Sequence, residues 1–229
     1  MKAKGKDPRI IVAEEGEILD IELEENLMKK NDELARENRR TLDEHGVKAI
    51  DIMGAIGSGK TSLIEALADR LKSRYRLAMI AGDVTTTVDA DRVGRHGVLS
   101  VQVNTGRECH LDANLIKKAL KQLNLDAVDV LFIENVGNLI CPAEFKLGAH
   151  LRIVVVSVTE GEYMVIKHPL IFLGSDVAVI NKIDLTEAMG VDPNKLAEQA
   201  KEINPKLKVV KANMKTGEGT TELIKALEL

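Results

Sequence analysis

Three clusters of residues in this chain have the types and spacing that do chemistry. The first is GAIGSGKT at residues 54–61, which follows the pattern G-x-x-x-x-G-K-[ST] of a phosphate-binding loop. Gly54, Gly57 and Gly59 lack a Cβ, so the backbone N–H groups of a loop that also holds Ala55, Ile56 and Ser58 can approach an anion closely. Lys60 is placed to reach β and γ phosphates, and Thr61 to offer its hydroxyl to Mg²⁺. Ser62 opens the helical stretch SLIEALADRLK, whose positive dipole end would face the same anion. A glycine turn without a ligand is the competing reading. It does not account for the order here, an apolar run (VKAIDIM), then the loop, then a helix.

The second cluster concerns the base and the metal of a nucleotide. VAVINKIDL ends in Asn181, Lys182 and Asp184, the N-K-x-D pattern by which G proteins read guanine. A carboxylate at Asp184 can accept from the N1–H and exocyclic amine of guanine. Adenine offers no such donor pair, and an unmatched buried acceptor costs more than about 1–3 kcal/mol, so GTP is expected over ATP. Lys182 can cover the base with its stem, and Asn181 can tie its loop to the phosphate loop. ANMKTGEG at 212–219 fits the last base-contacting loop more loosely, with Asn213 and Lys215 as candidates. Glu134 and Gly137 in ENVG stand where many GTPases carry Asp-x-x-Gly, so the acid is a Mg²⁺ candidate and the glycine N–H a γ-phosphate sensor. Asp83 and Asp89, in GDVTTTVDADR, are candidates for Mg²⁺ or the attacking water. The catalytic set is therefore Lys60, Asp83, Asp89 and Glu134. Capping of the next helix is the rival role for the two aspartates.

The third cluster is Cys109 with His110 in GRECHLD, and Cys141 in NVGNLICP, four residues beyond Gly137. Thiolate and imidazole suit Zn²⁺ and Ni²⁺, and three donors leave one tetrahedral position open. Burial as core residues is the bland alternative for the two thiols. Position favours the metal, because a movement of Gly137 on GTP binding would move a metal ligand.

These residues need a scaffold that brings them together. RLAMIAG, GVLSVQV, VDVLFIEN, LRIVVVSV, VAVIN and LKVVKAN are continuous apolar runs separated by helix-length segments. Such runs mark strands covered on both faces, hence an α/β fold with a doubly wound, mainly parallel sheet. Function then gathers beyond the carboxyl ends of the strands. Upstream, residues 20–45 are charge-rich with Leu27, Leu34 and Leu42 near a helical repeat and Gly46 as a stop. This predicts a peripheral helix, packed on its own domain or on a partner subunit. The division expected is 1–46, an N-terminal segment with that helix and a weakly ordered first dozen residues, and 47–229, one nucleotide-binding domain.

Composition narrows the partners. With 229 residues, 45% apolar, a net charge of −4 and 2% aromatics, the chain has material for one sizeable core but no basic or stacking surface for nucleic acid. No apolar run has transmembrane length and no apolar core follows the basic MKAKGK start, so a cytoplasmic protein with no membrane association is expected. Two cysteines in that compartment do not make a disulfide scaffold.

Taken together, the chain resembles the HypB family of hydrogenase nickel-incorporation GTPases, metallochaperones of the group of P-loop GTPases that act as nucleotide-dependent dimers. The likeness covers nearly all of residues 40–229. It is carried by GAIGSGKT, AGD, VNTGRECHLDA, FIENVGNLICP, TEG, KHP and NKIDL, of which ECHLD and ENVGNLICP are the most specific. The resemblance implies a P-loop NTPase fold and GTP hydrolysis to GDP, with Lys60 and Thr61 on phosphate and Mg²⁺. Asp89 and Glu134 would hold Mg²⁺ or the water, with Asp83 less firmly placed, and Asp184 would read guanine. Cys109, His110 and Cys141 would bind Ni²⁺ and/or Zn²⁺ at a homodimer interface. It also implies a HypA-type zinc metallochaperone and a hydrogenase large-subunit precursor as partners, with nickel insertion into [NiFe]-hydrogenase as the outcome. Residues 1–46 depart from many bacterial relatives: they contain no Cys and only His45, so an N-terminal nickel store is not expected. A urease-type nickel-chaperone GTPase is the nearest alternative, but its Cys-Pro-His motif is here Cys141, Pro142, Ala143. A metal-sequestering protein with a vestigial nucleotide site is a third reading, opposed by the intact GKT, ENVG and NKID.

Overall fold

The computed structural model describes residues 21–106 and 108–229, with side chains from residue 26 onward. The expected disorder of the first dozen residues lies outside the described residues. Seven strands form the sheet: β1 (Lys48–Gly54), β2 (Leu77–Asp83), β3 (Leu99–Asn104), β4 (Val130–Glu134), β5 (Leu151–Ser157), β6 (Val177–Asn181) and β7 (Lys208–Lys211). All pairings are parallel, in the order β3-β2-β4-β1-β5-β6-β7. The helices are α1 (Ile21–Glu44), α2 (Lys60–Leu71), α3 (Val88–Gly94), α4 (Ala113–Leu120), α5 (Cys141–Glu144), α6 (Met164–Lys167), α7 (Pro169–Leu173), α8 (Thr186–Met189), α9 (Pro193–Ile203) and α10 (Thr220–Ala226).

The five inner strands are covered on both faces, whereas the edge strands β3 and β7 are more exposed. Ile50 and Ile52 of β1 pack with Leu63, Ile64, Leu67 and Leu71 of α2, an i, i+4 stripe, and with Leu223 of α10. On the opposite face Ala49, Ile80, Leu131 and Ile133 meet Leu42 of α1 and Ile116 and Leu120 of α4, while Val154, Val156 and Ile180 meet Phe172 and Leu196. The sheet is doubly wound, as its sequence pattern predicts. β1 lies between β4 and β5, where strand order reverses, and the crevice at the carboxyl ends of these strands is where such folds bind ligands.

Helix α1 packs on its own chain. Its buried stripe is Asn31, Ala35, Asn38 and Leu42, whereas Leu27 is exposed. Two of the four are amides, which bridge to distant backbone: Asn31 accepts from Ala113 N (2.9 Å) and donates to Lys146 O (2.9 Å), and Asn38 donates to Ala113 O (2.8 Å) and Leu147 O (3.0 Å). Gly148 lies so close that a Cβ would stand 2.5 Å from Ala35 O. Gly46, at φ +65°, ends the helix in a Schellman turn, with Val47 N donating to Leu42 O and Gly46 N to Asp43 O. Among the described residues no helix is long and apolar enough to cross a membrane.

Candidate nucleotide and metal site

The phosphate loop leaves β1 with no room for side chains at two of its glycines. A Cβ on Gly54, at φ +149°, would lie 2.2 Å from Val155 O, and one on Gly59, at φ +104°, would lie 2.1 Å from Asn181 Nδ2. Lys60 reaches back over the loop and donates to the carbonyls of Gly54 and Ala55, both at 3.2 Å. Burial pulls its ammonium below the usual lysine range, against the attraction of Glu134 and Asp89. The cleft above holds about 370 Å³ and is lined by Ile56, Gly57, Gly59, Lys60, Thr61 and Ser62 together with Asp83, Asp89, Glu134, Gly137 and Lys182. Ala55 and Ser58 complete the loop. Ile56 is 86% exposed at its tip, and Ser58 is buried beneath.

Thr61 ties an acid of α3 and an acid of β4 to the loop. Its Oγ1 stands 2.9 Å from Asp89 Oδ1 and 2.8 Å from Glu134 Oε1. A hydroxyl has one hydrogen, so it donates to one acid, and the other contact needs a proton on the carboxyl. Glu134 is the acid that keeps one: burial pushes it up to about 7, with Lys60 opposing. Glu134 Oε2 and Ser58 Oγ are buried with no hydrogen-bond partner among the described residues. Such orphans cost about 1–3 kcal/mol each, and a hydroxyl and two carboxylates facing a phosphate cradle suit a Mg²⁺–polyphosphate that would satisfy them. Asp83, though it lines the cleft, is engaged by its own loop. Its Oδ1 accepts from Thr85 N (2.9 Å) and Thr86 N (2.7 Å). Burial raises this carboxyl, but those N–H groups outweigh it and hold it below the ordinary value.

Asn181 joins the base loop to the phosphate loop, donating to Ser58 O (2.8 Å) and accepting from Met214 N (3.0 Å). Lys182 adopts φ +61°, which turns the chain so that its side chain enters the cleft. Asp184 is exposed and makes no hydrogen bond among the described residues, so both its oxygens are available to a base. Asn213 is engaged by its own loop: its Oδ1 accepts from Lys215 N (3.2 Å) and its N donates to Glu218 O (3.1 Å). Lys215 is exposed at the mouth of a neighbouring hollow between this loop and α2.

The thiols and the imidazole converge. Ligand atoms of Cys109, His110 and Cys141 lie within 4.8 Å of one another, with Cys109 Sγ 2.9 Å from Cys141 Sγ and 3.8 Å from His110 Nδ1. Both cysteines are free thiols and neither is in the core: Cys109 is exposed and Cys141 half-buried. The hydrogen bond with Cys109, then burial, pushes the Cys141 thiol up, and burial against Phe145, whose ring centroid is 3.9 Å away, pulls the His110 imidazole down. The donor set fits a soft or borderline divalent cation. Its link to the nucleotide cleft is short. Gly137, four residues before Cys141, packs so tightly on Ile56 that a Cβ would lie 2.3 Å from Ile56 Cγ1, and Asn138 bridges to Gly54.

Some residues of the site have no linear signature. Arg92 lines the cleft, donates to Ser62 Oγ (3.3 Å), pairs with Glu65 (2.7 Å) and approaches Asp89 (3.8 Å). Its place in ADRVGR, one helical turn after Asp89, is the only hint the sequence holds. Asn135, fully buried between Glu134 and the thiols, and Glu160, whose Oε2 is a further buried orphan, are the others.

A glycine cradle that admits no Cβ, backed by a hydroxyl and acids at the switch point of a parallel sheet, defines a P-loop NTPase fold. Residues 48–211 match the family model for the CobW/HypB/UreG nucleotide-binding domain. The chain is 53% identical over 208 residues to the probable hydrogenase maturation factor HypB of Methanocaldococcus jannaschii, covering 91% of this chain and 94% of that one. The crystal structure of hydrogenase maturation factor HypB from Archaeoglobus fulgidus superposes with a TM-score of 0.82 at 48% identity, covering 87% of this chain and 98% of that one. That of Helicobacter pylori HypB in complex with nickel also scores 0.82, at 34% identity, over 87% and 94% of the two chains. The chain belongs to the HypB family of hydrogenase maturation factors.

Proposed function

We propose that this protein is a GTP-hydrolysing, cytoplasmic metallochaperone that carries nickel for insertion into [NiFe]-hydrogenase and uses its nucleotide state to hold or release the metal. The observation that carries this reading is the contact of Gly137 on Ile56, which makes the phosphate loop and the Cys141 loop neighbours. GTP would be selected by Asp184, with Lys182 over the base. The loop N–H groups and Lys60 would hold the β and γ phosphates, and Thr61, Asp89 and Glu134 would hold Mg²⁺, which when bound neutralises the phosphate charge. Water would attack the γ phosphorus with GDP leaving, and Asp89, whose Oδ1 is 2.9 Å from Thr61 Oγ1, would hold the metal or orient that water.

Nickel is the cargo. Cys109, His110 and Cys141 supply three donors and leave a position open to a donor from a second copy or a partner. Zn²⁺ fits the same donors. A closed structural zinc site holds its metal by about 10–16 kcal/mol, too tightly for transfer. Displacing one ligand between GTP and GDP states shifts affinity by about 1–3 kcal/mol, or 5–150-fold, which suffices to bias loading against release. A GTP-dependent homodimer, a HypA-type zinc metallochaperone and the hydrogenase precursor complete the cycle.

The test is a titration of Ni²⁺ and Zn²⁺ in the presence of GDP or of a non-hydrolysable GTP analogue, with oligomer mass followed in parallel. A metal affinity and a mass that both change with the nucleotide are expected. Identical values in the two states would refute the switch.

A further inference from the structure

The loop that carries Cys109 and His110 follows β3 and the one that carries Cys141 follows β4, with β2 between those strands in the sheet; Asn138 Nδ2 reaches Cys109 O at 3.5 Å, a long contact between them. Helix α5 is only four residues long and holds Cys141 at its first position. So short a helix makes almost no internal hydrogen bonds, and its carbonyls need outside donors. Arg152 supplies them. Its Nη1 donates to Ala143 O (3.2 Å) and Gly174 O (3.3 Å), and its Nη2 to Pro142 O and Met53 Sδ (3.1 Å). The remaining donor, Nε, goes to Asp51 Oδ2 at 3.3 Å. All five N–H groups of the guanidinium are thus used, in a planar fork that a lysine cannot reproduce.

The other oxygen of Asp51 serves the other loop. Asp51 Oδ1 accepts from Asn135 Nδ2 (3.3 Å), and Asn135 Oδ1 accepts from Leu111 N (3.0 Å), the peptide that follows His110, and from Val136 N (3.0 Å). Asp51 is 1% exposed and Asn135 fully buried, so water does not compete for these contacts. We propose that Asp51, acting through Arg152 on one side and Asn135 on the other, is the positioning residue that holds the Cys141 loop and the Cys109–His110 loop in register as one metal site. The ion pair joins the central strand β1 to β5, where Asp51 and Arg152 are register partners. Groups that hydrogen-bond metal ligands typically change affinity by about 10–100-fold when lost; Arg152 and Asn135 hold the peptides next to the ligands, and Asp51 holds both, so the low end of that range applies.

This rests on the three donors binding metal, so the experiment separates the two ideas. Ni²⁺ affinity and the Co²⁺ thiolate charge-transfer and ligand-field bands are measured for the full chain, for Asp51→Asn, for Arg152→Lys and for Arg39→Lys. Arg39 also clamps loop carbonyls, those of Gly148 and Ala149, and bonds to neither thiol-bearing loop, so it controls for general loosening. GDP affinity reports that each variant is folded. The expected result is a loss of about tenfold or more in Ni²⁺ affinity, with altered Co²⁺ bands, in Asp51→Asn and Arg152→Lys, and neither change in Arg39→Lys. Should Asp51→Asn fail to fold, the milder Arg152→Lys decides alone. Wild-type affinity and bands in folded Arg152→Lys, or an equal loss in Arg39→Lys, would overturn the positioning role. Absence of thiolate bands in the unaltered chain would instead overturn the metal site itself.

Discussion

Replacing Glu134 by Gln should make the protein free of nucleotide and metal more stable above neutral pH, and less able to bind Mg²⁺ with nucleotide. Glu134 sits 3% exposed with its carboxyl pushed up to about 7 from 4.5, and Thr61 lacks the hydrogen to satisfy both of its acidic neighbours unless Glu134 keeps its proton. The folded state therefore binds a proton that the unfolded chain releases near pH 4.5. Stability from this group is complete below about 4.5 and is lost as pH rises through about 7. The displacement corresponds to about 3 kcal/mol, or about 6–12 °C in melting temperature for a chain of this size. Gln mimics the protonated acid and has nothing to lose. Thermal unfolding of both proteins from pH 5 to 8, without nucleotide or Mg²⁺, should give coincident curves at pH 5 that separate toward pH 8, with the variant higher. Buried Asp51 and Glu160, whose carboxyls burial also raises, titrate in both proteins and cancel in the difference. Parallel curves over the whole range would refute the assignment of the proton to Glu134.

Three further outcomes are expected. Gly59→Ala must place a methyl 2.1 Å from Asn181 Nδ2 at φ +104°, so it should abolish GDP binding in calorimetry and lower stability by about 1–3 kcal/mol. Asp184→Asn replaces an acceptor by a donor opposite the guanine amine and should reverse the preference between guanosine and xanthosine diphosphates in competition assays, leaving the melting temperature within about 2 °C because Asp184 is exposed. Cys141→Ala should cut Ni²⁺ affinity at least tenfold with GDP affinity unchanged; in the unaltered chain Ni²⁺ affinity should climb with pH above neutral, since the raised Cys141 thiol must lose its proton to bind.

What was legible in the sequence follows from how each feature is encoded. Inner strands covered on both faces appear as apolar runs, and the half-exposed edge strands β3 and β7 as shorter ones interrupted by Ser, Gln or Lys, so all seven are recognisable along with their parallel arrangement. The phosphate loop, NKID and the Cys–His pair are contiguous, and their chemistry can be read from a few letters. Contacts made across the fold cannot. The docking stripe of α1 contains Asn31 and Asn38, whose worth lies in backbone partners up to 115 residues away, so apolar periodicity pointed to the exposed Leu27 instead. Helices of four or five residues, such as α5 and α7, are too short to show a period. Arg92 and Asn135 reveal themselves only when α3 and β4 come together over the loop. Asn213 stands where a base-contacting Ser is usual, and only the fold shows its side chain closing its own turn.

The hydrogen bond from Asn181 to Ser58 spans 123 residues, and β1 pairs only with β4 and β5, never with the next strand in the chain. A growing polypeptide thus emerges with its phosphate loop already made but with no neighbour for the strand that bears it. Lys48 finds its first sheet partner at Val130, and Ser58 O its Asn181 donor only when β6 arrives. Nucleotide affinity should therefore be absent from every N-terminal fragment on the ribosome and appear abruptly once β6 and the loop around Met214 have left the exit tunnel. For this molecule, retention of nucleotide would report that β6 has closed on the phosphate loop.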